Sequence, residues 1–326
     1  MTDQSFHVRA PGRICLFGEH SDYLGLDVIA ASINMEIEIE CSPRKDDLIT
    51  INYVDLKESD SFSLDSEIQY RNKRDYVRSA FNVMKRKEVF PTQGMDLKIS
   101  GNIPIAAGLS SSSALTVGAV MVVAHLTGFE MKPEDVALTA YDAEVAEFGE
   151  SGGNMDHFAS AVGGIIHVNM KDNTVSKLPA KLDYIVIGDS EEKKKDTVGD
   201  LHYIRTTVER EYELMAQKIS SFNRRTTPIN RVYELGRNHP TKERSMAEAT
   251  LRNRDLTYRA LKLLDDEKPN HHEIGNLLME HHEILRDAFD RSTPKIERMI
   301  EAAYSAGAIG CKINGSGGGG TMMHTQ

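Results

Sequence analysis

One short stretch constrains the fold more than any other: GLSSSSAL, residues 108 to 115, joins a predicted strand end to an apolar run. GNIPIAAG, residues 101 to 108, leads into it, and ALTVGAVMVVAHL, residues 114 to 126, follows it. A strand, a loop of small residues and a buried helix, in that order, direct backbone N–H groups and the positive end of a helix dipole at one point. A flexible serine linker is the alternative. Because an apolar helix follows at once, we favour a cradle for phosphate.

The serine hydroxyls strengthen this interpretation. They add donors for phosphate oxygens, and they are hard oxygen ligands of the kind that Mg2+ accepts beside nucleotide phosphates. The stretch differs from a P-loop, because the Gly-Lys-Ser/Thr ending is missing.

The whole chain limits the class of protein. Its 326 residues allow two domains, each with a core of its own. A formal net charge of -10 argues against a nucleic-acid partner held on a broad basic surface. The sequence contains neither a long apolar run nor a secretory leader pattern, so we expect no membrane partner and a cytoplasmic protein. Cys15, Cys41 and Cys311 are expected to be reduced core thiols.

Periodicity divides the chain near residue 180. Residues 35 to 41 alternate as a half-buried strand does, and residues 75 to 89 have helical spacing. After the boundary, long charged helices are predicted over 196–222, 240–265 and 271–290. A further helix is predicted with Thr293 as N-cap, Pro294 in its first turn and Gly307 beyond its end.

Two further stretches carry a resemblance to a known family. They are PGRICLFGEHSDYLG, residues 11 to 25, and GCKINGSGGGG, residues 310 to 320. With the serine run, they resemble the three signature motifs of the GHMP kinase superfamily, which includes galactokinase and mevalonate kinase. The resemblance implies a ribosomal-protein-S5-like α/β domain, residues 1–180, and a ferredoxin-like α+β domain, residues 181–326. ATP and substrate would lie in the cleft between them.

Within the superfamily, the first motif is most similar to the galactokinase signature, with Ser21 in place of the usual Thr. A hexose presents several hydroxyls that need partners once water is removed, and carboxylates together with a His can bind neighbouring hydroxyls. A solvated loop of charges is the structural alternative. The predicted acceptor contacts are Glu19, His20, Asp22, Tyr23, Asn154 and Tyr203.

GESGGNMDHFASAVGG, residues 149 to 164, resembles the galactokinase stretch with the catalytic aspartate and places Asp156 there. Asn154 and His157 replace the commoner Ile and Gln, which leaves the exact sugar open. By this resemblance, Asp156 accepts the proton of the sugar hydroxyl, and Arg13 stands between Asp156 and the γ-phosphate. How much Asp156 contributes as a base, and how much by positioning the hydroxyl, stays open.

The resemblance also implies a site for ATP and Mg2+. The predicted nucleotide-binding residues are Gly108, Leu109, Ser110, Ser111, Ser112, Ser113, Gly315, Gly317 and Gly318. Ser112 and Glu144 are the predicted magnesium contacts, with Glu147, one helical turn away, as the alternative. The histidines at 271, 272, 281 and 282 are expected to be packing or surface residues, because no acidic or Cys partner completes a metal site.

The resulting functional prediction is phosphorylation of a hexose, with galactose converted to galactose 1-phosphate. Another hexose, a uronic acid, a heptose or mevalonate remains an alternative acceptor, and a non-catalytic sugar sensor is an alternative of another class. The complete serine motif, together with Arg13 and Asp156, favours catalysis. Family members usually continue beyond GTMMHTQ, residues 320 to 326, with a further helix and strand. If these 326 residues are the whole natural chain, the C-terminal domain is expected to lack its last elements; a shortened chain is the alternative.

Overall fold

The N-terminal half is organised by a long antiparallel strand pair in the computed structural model, which describes residues 4–64, 67–182, 184–193, 196–236 and 241–326. Strand β1 (Phe6–Phe17) pairs with β2 (Val28–Pro43), and the register shifts just before Arg13. The predicted alternation in β2 is confirmed, because Ile39 and Cys41 are buried in the core. The two strands leave a loop of residues 18–27 at one end of the sheet, and this loop carries most of the first motif.

The other strands of this sheet are β3 (Leu48–Tyr53), β4 (Glu58–Ser63), β5 (Met95–Gly101), β6 (Ile165–Asn169) and β7 (Thr174–Lys177). The other edge of β2 pairs with β5 and β6, so the sheet order is β4-β3-β5-β2-β6-β7, with β1 beside β2. Strands β3 and β5 are parallel, and the other neighbours are antiparallel. The helices of this half are α1 (Tyr76–Arg86), α2 (Ser111–Thr127), α3 (Pro133–Tyr141) and α4 (Met155–Val162). A π-helical turn, Asp142–Ala146, extends α3.

Helix α2 is the buried helix that the apolar run predicts. Val117, Val120 and Val123 are all 0% exposed, and α2 packs against β1 and β2. Ser110, in the left-handed region at φ 62°, precedes the first turn, and Gly128 at φ 66° ends the helix. The alternative of a flexible serine linker is therefore wrong, because the later serines of the run form the first helical turn.

The C-terminal half places helices against a second antiparallel sheet of order β8-β10-β9. Its strands are β8 (Ile185–Asp189), β9 (Gly310–Ile313) and β10 (Thr321–Thr325). Its helices are α5 (Thr197–Lys218), α6 (Ile229–Gly236), α7 (Lys242–Leu264), α8 (His271–Glu283) and α9 (Pro294–Ser305). A π-helical turn, Ile284–Ala288, extends α8.

The structure confirms the helices predicted for this half. The pattern over 240–265 corresponds to α7, although residue 240 lies outside the described residues. The Thr293 hydroxyl accepts a hydrogen bond from the Ile296 amide, as an N-cap does, and Gly307 follows α9 in the left-handed region. The boundary predicted near residue 180 falls between β7 and β8, and the division into domains there stays a prediction.

The C-terminal half fixes the loop of residues 18–27. Asn253 Nδ2 donates to the Glu19 carbonyl at 2.8 Å. Arg225 donates to the Gly25 carbonyl at 2.7 Å and to Asp27 Oδ1 at 2.6 Å. The loop contains one turn of 3-10 helix, Asp22–Leu24, and these contacts with the C-terminal half hold it in a single arrangement. The first motif therefore lies at the junction of the two halves.

Candidate active site

A buried ion pair forms the centre of the site. Arg13, on β1, donates from Nε to Asp156 Oδ1 at 2.6 Å and from Nη2 to Asp156 Oδ2 at 2.8 Å. Its Nη1 donates to the Gly108 carbonyl at 2.6 Å, and the Ser110 hydroxyl donates to Asp156 Oδ2 at 2.6 Å. The planar guanidinium thus joins the first motif, the serine loop and the first turn of α4. Three segments that are distant in sequence meet at one point, as the sequence predicts.

Burial and charge act in opposite directions on this pair. Burial disfavours both ions, but the charge of Asp156, aided by that of Glu19, raises the pKa of Arg13 above its usual value. Burial likewise opposes ionisation of Asp156, but the charge and hydrogen bonds of Arg13 and the bond from Ser110 lower the pKa of that carboxyl. Asp156 is therefore a carboxylate at neutral pH, with 26% of its side chain still exposed toward the cavity.

The serine loop forms one wall of the cavity. Gly108 and Ser110 line it together with Ser111, Ser112 and Ser113, at the N-terminal end of α2. The amides of a first helical turn have no partner within the helix, and they point out of its N-terminus. This wall can accept an anion, as the order of strand, loop and helix predicts. Leu109 is buried instead, and its carbonyl accepts from the Arg13 amide at 3.1 Å.

The first motif forms another part of the cavity wall with Glu19, His20, Asp22 and Tyr23, each at most 9% exposed. The Tyr23 hydroxyl lies 2.7 Å from His20 Nδ1. The His20 ring stacks on Phe289 with centroids 5.6 Å apart, and its backbone is left-handed at φ 62°. The alternative of a solvated loop of charges is wrong, because these side chains are buried around the cavity.

Asp22 is held against the chain that leads into α4. A Cβ atom on Gly153 would lie 2.1 Å from Asp22 Oδ2, so only glycine fits there without moving the carboxylate. Burial and the nearby charge of Asp156 raise the pKa of Asp22 to about 6. Asp22 and Asp156 thus differ in protonation behaviour although both line the same cavity.

Glu19 has a partner that the sequence analysis missed. Lys312 Nζ lies 3.2 Å from Glu19 Oε2, and the Gly315 amide donates to the same oxygen at 2.8 Å. Burial opposes ionisation of Glu19, but Lys312 and Arg13 outweigh it and lower its pKa. A lysine inside the apolar strand that leads into the glycine loop is the sequence signal that could have revealed this pair.

The third motif brings the second half against the serine loop. A Cβ atom on Gly315 would lie 2.8 Å from the Gly108 carbonyl oxygen, and Asn314 Nδ2 donates to that same oxygen at 2.8 Å. At Gly315 the backbone of the third motif therefore lies directly against the serine loop, where a larger residue would not fit. Gly317 and Gly318 pack on Arg291 instead, and Ser316 is the residue of this loop that lines the cavity.

The predicted magnesium contacts lie on the cavity wall. Ser112 and Glu144 both line it, and His157 Nε2 donates to Glu144 Oε2 at 2.8 Å. Glu147 lies outside the cavity lining, and its Oε1 accepts a hydrogen bond from the Tyr70 hydroxyl at 2.5 Å. No cluster of three His, Cys, Asp or Glu side chains within the described ranges could hold a metal ion. One carboxylate and one hydroxyl nevertheless fit Mg2+, which takes few protein ligands and completes its shell with phosphates and water.

Two predicted acceptor contacts do not line the cavity. Asn154 donates from Nδ2 to Asn173 Oδ1 at 2.9 Å, away from the cavity. Tyr203 is 50% exposed on α5, where Leu201 lines the cavity instead. Positions two residues apart lie about 200° apart around a helix, so both side chains cannot face the same cavity. The alignment of Tyr203 with an acceptor contact therefore finds no support in this geometry.

The cavity has a volume of about 400 Å3 and includes residues that were not predicted as site residues. These additional lining residues are Arg74, Tyr76, Ile105, Ala106, Val145, Glu150, Ser151, Gly152, Gly153, Met155, His157, Thr197, Val198, Leu201 and Ser316. Most come from loops and helix ends that only the fold brings together. Of the two arginines in the described lining, Arg13 is paired with Asp156 and Arg74 with Glu150.

The chain belongs to the GHMP kinase family. The GHMP kinases N terminal domain matches residues 75–164, and the GHMP kinases C terminal domain matches residues 260–324. The predicted fold class, an S5-like domain followed by a ferredoxin-like domain, is confirmed. The chain is a phosphotransferase with an alcohol group as acceptor, and GHMP kinases use ATP as phosphate donor. No helix within the described residues is long and apolar enough to cross a membrane.

Within the family the chain is galactokinase-like. Residues 2–43 match the galactokinase galactose-binding signature. The chain is 28% identical over 337 residues to a galactokinase of Haemophilus influenzae, covering 97% of this chain and 84% of that protein. It is also 30% identical over 322 residues to a mevalonate kinase of Thermococcus sibiricus, covering 96% of this chain and 86% of that protein.

Solved structures show the same fold. The Lactococcus lactis galactokinase complexed with galactose aligns with a TM-score of 0.90 at 22% identity, over 99% of this chain and 86% of that one. The Methanococcus jannaschii mevalonate kinase aligns with a TM-score of 0.72 at 21% identity, over 100% of this chain and 92% of that one. At such identities the likeness establishes the fold alone.

Proposed function

We propose that the chain is a sugar kinase that transfers the γ-phosphate of ATP to a hexose hydroxyl, with galactose converted to galactose 1-phosphate. The observation that carries this proposal is the buried wall of Glu19, His20, Asp22 and Tyr23 beside Asp156. The galactose-binding signature over residues 2–43 and the galactokinase relatives support the same acceptor. Because ATP is a cytoplasmic co-substrate, the proposal also places the enzyme in the cytoplasm.

The charges of the cavity favour a neutral acceptor. Both arginines of the described lining are already paired, and Lys312 is fully buried behind Glu19. An acceptor that carries a carboxylate would find no unpaired Arg or Lys among the described lining residues to compensate its charge. A sugar offers only hydroxyls, which can donate to the carboxylates. The carboxylates of the described lining are Glu19, Asp22, Glu144, Glu150 and Asp156.

Asp156 and Arg13 are the proposed catalytic pair. An acceptor hydroxyl that donates to Asp156 would be oriented for attack. The carboxylate would take its proton as the hydroxyl oxygen bonds to the γ-phosphorus and the bond from that phosphorus to the bridging oxygen of ADP, the leaving group, breaks. The lowered pKa of Asp156 makes it a weak base, so its larger contribution is to orient the hydroxyl and favour its loss of a proton. Arg13 lies between this carboxylate and the Gly108 carbonyl of the serine loop. It would stabilise negative charge that develops during transfer.

The serine wall is the proposed phosphate site. The hydroxyls and first-turn amides of residues 110–113 would donate to the nucleotide phosphates. Mg2+, held by Ser112 and Glu144, would neutralise phosphate charge when bound. His157 orients Glu144 by donating to Oε2 at 2.8 Å, so Oε1 is the oxygen that stays available to a cation.

Mevalonate is the second candidate acceptor, because the Thermococcus sibiricus mevalonate kinase is 30% identical to this chain. The pairing of Arg13 and Arg74 argues against it, since a carboxylated acceptor would need a cation of its own. Another neutral sugar stays an open choice, because Asn154 and His157 depart from the galactokinase pattern. A purely sugar-sensing role is disfavoured by the intact contacts among Arg13, Ser110 and Asp156.

ADP release tests the proposal directly. The full chain with Mg-ATP would be offered galactose, glucose, mannose, galacturonate, a heptose and mevalonate, and the product would be located by phosphorus NMR. We expect galactose to give the highest kcat/KM and a 1-phosphate product. Preference for another sugar would retain the proposed phosphoryl transfer and overturn galactose as its acceptor. Preference for mevalonate would overturn the charge argument, and no turnover of any acceptor would overturn catalysis.

A further inference from the structure

Lys312 is a fully buried lysine at the junction of the two halves. It lies on β9, is 0% exposed, and donates from Nζ to the Cys15 carbonyl at 2.9 Å. The same Nζ lies 3.2 Å from Glu19 Oε2. Burying an ammonium group is expensive unless it is paired, so the contacts with Glu19 and Cys15 determine where this side chain can be.

Glu19 is correspondingly fixed from the C-terminal half. Its Oε2 accepts from the Gly315 amide at 2.8 Å as well as from Lys312, and its carbonyl accepts from Asn253 at 2.8 Å. Within the described residues, no hydrogen bond to Oε1 is found. One carboxylate oxygen of Glu19 is thus held in place, and the other is left for a ligand in the cavity that Glu19 lines.

We propose that Lys312 is a positioning residue for the acceptor: by fixing Glu19 across the domain junction, it gives the acceptor a preoriented carboxylate oxygen. This inference rests on the proposed function in one respect, because Glu19 is taken there as an acceptor contact. Lys312 itself meets no ligand, since it is buried behind Glu19. Lys312 orients Glu19, in the other half of the chain, and balances its negative charge.

If Lys312 served only to stabilise the fold, its replacement would not change the acceptor KM selectively. Replacing a buried ion pair by apolar groups is often neutral for stability, so the fold alone does not require this lysine. A positioning role predicts that the loss of Lys312 affects the KM for the acceptor, which contacts Glu19. The KM for ATP, whose phosphates bind at the serine wall, should stay unchanged.

The test compares Lys312→Met, Lys312→Arg, Glu19→Gln and the double variant Lys312→Met/Glu19→Gln in the full chain. Ile313→Val is the matched control, because it trims the next, fully buried residue of β9 without touching Glu19. The acceptor is the one that the unmodified enzyme phosphorylates with the highest kcat/KM. An error in the galactose proposal would therefore change the acceptor and leave the comparison intact.

We expect Lys312→Met to raise the acceptor KM about tenfold and to leave the ATP KM within about twofold, with partial recovery in Lys312→Arg. The double variant should match Glu19→Gln in acceptor KM within about twofold, because Lys312 acts through Glu19. The control should change neither KM.

Three results would overturn the proposal. One is an unchanged acceptor KM in Lys312→Met, and another is an equal rise in both KM values. The third is a double variant whose acceptor KM is about tenfold above that of Glu19→Gln, which would mean that Lys312 acts independently. If Lys312→Met or Glu19→Gln does not fold, Lys312→Arg still decides, because it keeps the buried positive charge opposite Glu19. The proposal then requires an acceptor KM above that of the unmodified chain with an unchanged ATP KM, and an unchanged acceptor KM or an equal rise in both would overturn it.

Discussion

The two ends of the cavity are built in different ways. The proposed phosphate end is one contiguous segment, residues 110–113, in which Ser110 and the first turn of α2 are adjacent in sequence. The proposed acceptor end, residues 19–23, is held by Asn253 and Lys312, which lie 234 and 293 positions further along the chain. A local segment therefore forms the first end, and the meeting of the two halves of the chain forms the second.

This difference separates two kinds of specificity. Backbone amides at the N-terminus of a helix bind phosphate in many unrelated proteins, so the phosphate end carries little specificity of its own. The acceptor end depends on carboxylates whose positions and protonation are fixed by distant residues. Substitutions at the two ends should therefore change different kinetic constants. Asp156, which bonds both Arg13 and Ser110, connects the two ends and should affect both.

The largest effect is expected at this connection. Asp156→Ala removes the carboxylate that orients the acceptor hydroxyl and leaves Arg13 buried without its partner, so kcat should fall by about 10³-fold or more. Steady-state ADP release measures kcat, and circular dichroism verifies the fold. Glu38→Gln, at a surface carboxylate paired with Arg9, is the control and should retain kcat. Unchanged turnover in Asp156→Ala would refute the catalytic assignment.

Gly153→Ala tests the acceptor end alone. Its Cβ would lie 2.1 Å from Asp22 Oδ2, so the carboxylate must move, and we expect kcat/KM for the acceptor to fall about 100-fold while the ATP KM holds. Gly152→Ala is the matched control, because its Cβ would meet only Val145 methyl groups at 3.6 and 3.8 Å. Equal effects of the two substitutions would mean that Asp22 does not position the acceptor.

Asp22→Asn tests the electrostatics of that end through stability. The folded chain raises the pKa of Asp22 to about 6, so it binds this proton more tightly than the unfolded chain, and ionised Asp22 destabilises the fold. We expect Asp22→Asn to be more stable than the unmodified chain by about 3 kcal/mol at pH 8. The difference should shrink as pH falls through about 6 and vanish near pH 4.

Urea unfolding at several pH values measures this difference. Asp27→Asn is the control of opposite sign, because hydrogen bonds from His167 and Arg225 lower the pKa of Asp27 despite its partial burial. Asp27 therefore stabilises the fold above its usual pKa, and that contribution is lost as pH falls through its lowered value. A destabilised Asp22→Asn chain at pH 8 would contradict the charge arrangement proposed for the acceptor end.

The smallest effect is expected at the phosphate end. Ser112→Ala removes one hydroxyl from a wall of several donors, so the ATP KM and the Mg2+ concentration for half-maximal rate should rise about fivefold. The acceptor KM should stay within about twofold. Titrations with ATP and Mg2+ measure these constants, and Ser176→Ala, at an exposed serine on β7, is the control. A shift in the acceptor KM instead would show that the two ends are not separable.

Sequence patterns were most informative where the structure is local. The buried helix after the serines, the N-cap at Thr293 and the alternation in β2 could be predicted, because each depends on neighbouring residues. Asn154 and Tyr203 were predicted as acceptor contacts from similarity of short segments, and the structure places both outside the cavity lining. A motif match fixes a position along the chain, but the direction of a side chain depends on how its helix packs.

By itself, the sequence determined the family, predicted an anion-binding serine wall and identified the Arg13 and Asp156 pair, because these lie in short motifs with their own chemistry. Only the tertiary structure decided that Glu19 is paired with Lys312, that Asp22 is pressed against Gly153, and that Glu144 rather than Glu147 lines the cavity. The physical reason is the separation along the chain of the residues that each interaction joins. A helix dipole acts within one segment, whereas burial and charge pairing depend on residues that meet only after the two halves have folded together.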